Sequence, residues 1–320
     1  MKRSWNWDFE ERPHDPAREQ PSEDGDIGPT APSRATLHRR RMIAGLVCAI
    51  LLATAVAIEI SSHHGSAGAS QRAPGTPHAA SAKPIQPSPD ALERGMQAVA
   101  GVLAYTPFVR DGSEHAREIA LTFDDGPGPY TPQILEVLER MHVHATFFEI
   151  GEMLRYFSAS AAREIRDGDV IGDHTETHPE MAKLSAHDQR EELIEQIARI
   201  ELLGGPRPDL FRPPYGSFDA TTMRQLHRLH LLMVLWSADT QDYLRPGVAT
   251  ILARALAGAK PGAIILMHDA GGDRSETVAA LPSVIRELRA RGFRLVTVPQ
   301  LLADDPPPAG EPLPPNLSGD

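Results

Sequence analysis

Two adjacent carboxylates, Asp124 and Asp125, lie in the run Thr122-Phe123-Asp124-Asp125-Gly126-Pro127, between an apolar stretch and a Gly-Pro turn. Charge at the end of a buried strand is costly unless a partner or a metal holds it. Downstream, His174 and His178 stand at i and i+4 in His174-Thr175-Glu176-Thr177-His178-Pro179. On a helical turn that spacing puts both imidazoles on one face, where they can grip one ion. One carboxylate and two imidazoles make a three-ligand set that leaves a position open for water. The other carboxylate is then free to act as a base on that water. An Asp-Asp-Gly-Pro run alone reads as a solvated turn. The histidine pair shifts the reading to a metal site.

These side chains need a scaffold. Apolar stretches of strand length occur at 119–123, 145–150, 170–173, 210–212, 231–236, 263–267 and 293–297. Helical periodicity fills the intervals at 132–141, 161–167, 186–203, 220–228, 248–257 and 277–291. Strands alternating with amphipathic helices predict a parallel β/α fold. Ligands in such folds gather at the C-terminal ends of the strands. Asp124 and Asp125 follow the first predicted strand, and His174 follows the third. Arg212 closes the fourth, Asp239 and Asp242 follow the fifth, and His268 follows the sixth. Residues serving only the core or the surface would scatter between both ends; these do not.

The net charge of −11 and the lack of any concentrated basic face argue against a nucleic-acid partner. Cys48 is the single cysteine, which excludes an intrachain disulfide and a thiolate zinc cluster. Residues 42–58 form an uncharged apolar run preceded by Arg39-Arg40-Arg41, near the lower length limit for crossing a bilayer. Basic residues on its N-terminal side predict that this end stays inside the cell. The long polar segment before Arg39 favours an uncleaved anchor over a cleaved signal, whose cleavage site would be Ala55-Val56-Ala57. The expected organisation is a disordered cytoplasmic tail (1–41), a transmembrane anchor (42–60) and an Ala/Ser/Pro linker (61–89). A lead-in segment (90–117), a catalytic domain (118–302) and a loose Pro-rich tail (303–320) follow.

Three further stretches complete a pattern: Arg212-Pro213-Pro214-Tyr215-Gly216, Trp236-Ser237-Ala238-Asp239-Thr240-Gln241-Asp242-Tyr243 and Leu266-Met267-His268. With the Asp-Asp and His-His motifs, in this order, the chain resembles the polysaccharide deacetylase family (carbohydrate esterase family 4). The resemblance implies a distorted parallel β/α barrel of about seven strands. It implies that Asp125, His174 and His178 hold a divalent metal, zinc by preference, and that Asp124 is the base for the attacking water. Arg212 would keep Asp124 ionised, and the Tyr215 N–H would help stabilise the oxyanion. His268 would protonate the leaving amine, with Asp242 orienting it. Leu266, Tyr243 and Pro214 would line the substrate pocket. The family commonly has Trp where Tyr243 stands and Asn where Asp173 stands. Asp173 would tighten the metal site or cap a turn. The expected activity is removal of N-acetyl groups from acetylated glycans outside the cytoplasm, on peptidoglycan, a chitin-type polymer or an exported polysaccharide. A polysaccharide O-acetyl esterase and a catalytically silent carbohydrate-binding module are the alternatives.

Overall fold

The computed structural model describes residues 89–314. The expected cytoplasmic tail, anchor and most of the linker lie outside the described residues. Among the described residues, no helix is long and apolar enough to cross a membrane.

Nine strands form one parallel sheet. They are β1 (Phe108–Val109), β2 (Glu118–Asp124), β3 (Thr146–Glu149), β4 (Val170–Asp173) and β5 (Leu210–Phe211). β6 (Leu232–Val234), β7 (Ala238–Asp239), β8 (Ala263–His268) and β9 (Arg294–Val296) follow. The order is β1-β6-β5-β4-β3-β2-β8-β7, and β9 pairs with the N-terminal part of β2. The expectation of about seven strands misses β1 and β7, which are two residues each and too short to show a period.

β2 and β8 are buried along their whole length, as parallel strands covered on both faces must be. Their alternation divides two cores. Ile119, Leu121, Phe123, Ile265 and Met267 pack outward against α2 (Thr131–Met141) and α8 (Ser275–Ala290), with Ile134, Leu138, Leu281 and Val284 in the same cluster. Ala120 and Ile264 point the other way, joining Phe148, Leu210, Val234 and Val296 in the interior. By the same alternation Thr122, Asp124, Leu266 and His268 face the interior at its upper end.

The sheet is strongly curled. Strands lie about 4.8 Å apart, so in a flat sheet β5 would sit about 14 Å from β2. Yet Arg212, directly after β5, donates to Thr122 Oγ1 at 2.8 Å and to Asp124 Oδ1 at 2.7 Å on β2. Beyond β6, Ser237 N–H donates to Ile264 O of β8 at 3.1 Å, so the chain itself nearly closes the barrel.

Two expected boundaries move. The lead-in segment belongs to the folded unit, because α1 (Pro89–Leu103) puts Val99 and Val102 into the interior core and Phe108 and Val109 form β1. At the other end, α9 (Val298–Asp304) continues past 302. Buried Asp305 then accepts from Ala116 N–H at 3.0 Å. The chain therefore stays packed to at least residue 305.

Candidate active site

Every strand in the sheet is parallel, so the strand ends expected to carry chemistry share one rim. Asp124 ends β2 beside His268, which ends β8; the two are register partners on neighbouring strands. Asp125 follows with φ +74°, a conformation that turns the chain sharply and aims its carboxylate across the rim. Gly126–Pro127 is a cis peptide.

Asp125, His174 and His178 meet. Their ligand atoms all lie within 4.8 Å of one another. Asp125 Oδ1 is 3.1 Å from His178 Nε2 and 3.6 Å from His174 Nε2. A tetrahedral shell with ligand bonds of about 2.0–2.1 Å has edges of about 3.4 Å, so the three residues fit a small divalent cation. The imidazoles are oriented for it. His174 Nδ1 donates to Arg212 O at 2.7 Å, which leaves Nε2 as the lone-pair atom. His178 Nδ1 lies 3.2 Å from Tyr215 Oη, which fixes the ring in the same sense. Burial by itself would raise the Asp125 carboxyl, but the neighbouring imidazoles, His178 foremost, outweigh it and hold it well below the usual range.

Contrary to the expectation from their spacing, the histidines do not share a helical turn. They sit on a loop after β4 in which Thr175 (φ +70°) and His178 (φ +62°) are left-handed. Asp173 supports that loop: its Oδ1 accepts the Thr175 N–H at 2.7 Å. Of the two roles expected for Asp173, the capped turn is the one seen. Thr175 Oγ1 then accepts the His178 N–H at 2.9 Å. Side chain–backbone bonds thus replace the helix in bringing His178 back to His174.

Asp124 divides its oxygens. Oδ1 takes the Arg212 hydrogen bond, and Oδ2 lies 3.9 Å from His174 Nε2, on the metal side. On the neighbouring strand, His268 Nδ1 donates to Asp242 Oδ1 at 2.8 Å, which directs Nε2 away from the partner. The Asp242 Oδ2 atom accepts from His268 N–H at 2.9 Å and Thr277 Oγ1 at 2.7 Å. Burial opposes charge on His268, but the Asp242 charge and hydrogen bond prevail and raise it to about 9. Asp242, correspondingly, is lowered.

The remaining expected residues frame this centre. Tyr215 lies in the short turn Pro214–Gly216 with φ +59°, its ring edge-on to His178 at 4.7 Å. Pro214 is buried beneath it. Tyr243, in the turn Asp242–Leu244, meets the His268 ring edge-on at 5.4 Å. Leu266 is buried one interior-facing position below His268.

Three contributors were not foreseen from the sequence. Thr277, on α8, carries the hydrogen bond that fixes Asp242. Arg274 is buried and donates to the carbonyls of Ala270 and Gly271, both at 2.6 Å, which folds the segment after β8 over the site. Gly271 (φ +73°) packs so closely on Asp125 that a Cβ there would collide with Oδ2. In the sequence Gly271-Gly272 carries only a loop signal. A cavity of about 460 Å³ lies at the opposite end of the strands, among Asp169, Pro208 and Val296, and contains none of these residues.

Asp124, the His268–Asp242 pair and the Asp125–His174–His178 cluster thus lie together on one rim of a curled parallel α/β barrel. The sequence profile described as polysaccharide deacetylase matches residues 111–234. A peptidoglycan-N-acetylglucosamine deacetylase of Bacillus cereus is 38% identical over 195 residues, 58% of this chain and 87% of its own length. A chitooligosaccharide deacetylase of a Bradyrhizobium species is 36% identical over 199 residues, 58% of this chain and 90% of its own. Among solved structures, the Bc1960 peptidoglycan N-acetylglucosamine deacetylase superposes with a TM-score of 0.60 at 35% identity, covering 64% of this chain and 96% of that one. The chain belongs to the polysaccharide deacetylase family.

Proposed function

We propose that this enzyme removes N-acetyl groups from amino-sugar polymers or oligomers in a metal-dependent hydrolysis. The observation that carries the reading is the register pairing of Asp124 with His268 beside the Asp125–His174–His178 cluster. Amide hydrolysis needs a base at the attacking water and an acid at the departing nitrogen, and these two side chains stand next to each other.

Asp125, His174 and His178 would hold the cation, zinc by its ligand set, which when bound would supply Lewis acidity and lower the pKa of water to about 7. Asp124 Oδ2 accepts the proton of the attacking water, while Arg212 donates to Oδ1 and holds the carboxylate in place. His268 Nε2 then delivers a proton to the nitrogen as the carbon–nitrogen bond breaks, which yields acetate and a free amine. Asp242 holds the imidazolium in the tautomer and orientation that this step requires. The Tyr215 N–H is the proposed donor to the developing oxyanion. Leu266 and Tyr243 shape the place of the acetyl methyl group and the sugar ring.

The related peptidoglycan and chitooligosaccharide deacetylases support an N-acetylated glycan as substrate. The charge pattern around residues 39–58 supports a membrane-anchored catalytic domain outside the cytoplasm. Acetate release should be followed on N-acetylglucosamine oligomers, peptidoglycan and an O-acetylated polysaccharide, with and without chelator. The reading expects acetate and free amine together from an N-acetylated substrate, lost with chelator and restored by zinc. Acetate from the O-acetylated polymer alone would make the protein an esterase. Release from none, with binding retained, would make it a silent carbohydrate-binding module.

A further inference from the structure

We propose that Glu149, Glu164 and Asp269 form a second, oxygen-only cation site that holds one hard divalent cation of the calcium class. Glu149 ends β3, Glu164 lies on α4 (Ser158–Asp167), and Asp269 follows β8. All three residues are fully buried, at 0% exposure. One carboxylate oxygen from each lies within 4.8 Å of the other two. Both oxygens of Glu149, both of Glu164 and Asp269 Oδ1 have no hydrogen-bond partner. Asp269 Oδ2 accepts only from Thr131 Oγ1.

Buried carboxylates with no partner are costly, and two buried acids of the rim have cationic partners. Asp124 has Arg212, and Asp242 has His268 and Thr277. The three carboxyls have no such cation among the described residues. The leading charged neighbours acting on Glu149 and Glu164 are carboxylates. With no ion between them, burial, reinforced by those neighbours, pushes Glu149 and Glu164 well above the usual carboxylate range and Asp269 to about 7. A bound divalent cation removes both the desolvation and the repulsion at once.

The donor set selects the ion. It contains oxygen and neither nitrogen nor sulfur, which suits hard cations and disfavours zinc. Four of its five unpartnered oxygens come as two carboxylate pairs, from Glu149 and Glu164, and calcium accepts bidentate carboxylates in a flexible shell of 6–8 oxygens at 2.3–2.6 Å. Magnesium demands a near-ideal octahedron and keeps several waters, for which a fully buried pocket is poorly suited.

The site would act on the catalytic centre through the backbone. Glu149 O accepts the His174 N–H at 3.1 Å, and Asp269 N–H donates to Asp124 O at 3.2 Å. A cation here would therefore fasten β3, α4 and the segment after β8 directly behind the residues that carry the metal ligand His174 and the base Asp124. Its position makes it structural, without contact to substrate.

The test is metal content and melting temperature of the full chain, independent of any activity. The protein should be passed into buffer with a calcium-selective chelator, and metals counted by mass spectrometry. About one calcium per chain should remain, beside the metal bound by the histidines. The Glu149→Gln/Glu164→Gln variant should retain less than about a tenth of that calcium while keeping the other metal. His174→Ala should show the reverse. Adding calcium chloride to any calcium-depleted fraction should raise Tm by on the order of 4 °C or more in the wild type, and not in the double variant. If the double variant does not fold, the wild type decides alone. Wild-type protein that keeps no calcium and melts at the same temperature with and without it would overturn the site. The cluster would then be a set of protonated carboxyls.

Discussion

Arg212 and Asp124 form a buried pair across the interior of the barrel, Nη1 to Oδ1 at 2.7 Å, with the guanidinium fully enclosed. Three more of the five N–H donors of Arg212 are used: Nε on Val234 O at 3.1 Å, Nη2 on Leu235 O at 3.2 Å and Nη1 on Thr122 Oγ1. Its face covers the Phe148 ring at 4.1 Å. The pair thus joins β2, β5 and β6. Losing one partner strands the other, so Arg212→Met should cost about 3–5 kcal/mol of stability. Arg212→Lys, which cannot reproduce the planar fork, should recover only part of it. Urea denaturation of the three proteins checks this. Equal midpoints and slopes would show that the pair contributes nothing to the fold.

His268 should set the alkaline limit of activity. Its raised value of about 9 means that the imidazole is protonated below that pH and loses the proton above it. A general acid works only in the protonated form, so turnover should hold through neutral pH and fall as pH rises toward 9. Asp125 also contributes to the raised value, and a cation at Asp125 offsets that part, so the limb should fall at or somewhat below 9. In Asp242→Asn the main supporting charge is gone and burial prevails, so the limb should move to below about 6.5. A pH–rate profile of both proteins reads the shift directly. An unmoved limb would remove His268 from the acid role.

Gly271 should control metal affinity without being a ligand. A Cβ at this left-handed position would push into Asp125 Oδ2. Gly271→Ala should therefore weaken zinc binding by about 10–100-fold, the range seen when groups supporting a ligand are disturbed. Competition with a zinc-sensitive dye measures it. Unchanged affinity would mean that the loop is free to retreat from the site.

Much of this centre was legible in the sequence, for definite reasons. The long apolar strands β2 and β8 announce themselves, and the polar residues that end them stand out against that background. The amphipathic helices around them are equally plain. β1 and β7 were not legible, because two residues carry no period. The loop holding His174 and His178 was misread as a helical turn: i, i+4 spacing suits a helix, but positive φ at Thr175 and His178 comes from the Asp173 and Thr175 side-chain hydrogen bonds. Glu149 did leave a signal, a lone acid in an otherwise apolar strand. Nothing along the chain links it to Glu164 or Asp269, which only the curled sheet brings together.

If residues 42–58 are the proposed anchor, their basic flank predicts topology. Protease added to intact cells should cut within residues 61–89 and release the catalytic domain, because Arg39-Arg40-Arg41 favour an inside N-terminus. Release only after lysis would reverse the orientation. A mature protein beginning near residue 58 would identify a cleaved signal instead.

The central claim is that Asp124 serves as the base beside a metal held by Asp125, His174 and His178. Asp124→Asn keeps the shape and the metal ligands but cannot accept a proton. The direct measurement is release of acetate and free amine from an N-acetylglucosamine oligomer by wild type and by Asp124→Asn, with metal content determined on the same samples. The account predicts equimolar acetate and amine from the wild type, a rate loss of at least about 10²-fold in the variant, and equal metal in both. Near-normal turnover by Asp124→Asn at full metal content would contradict it.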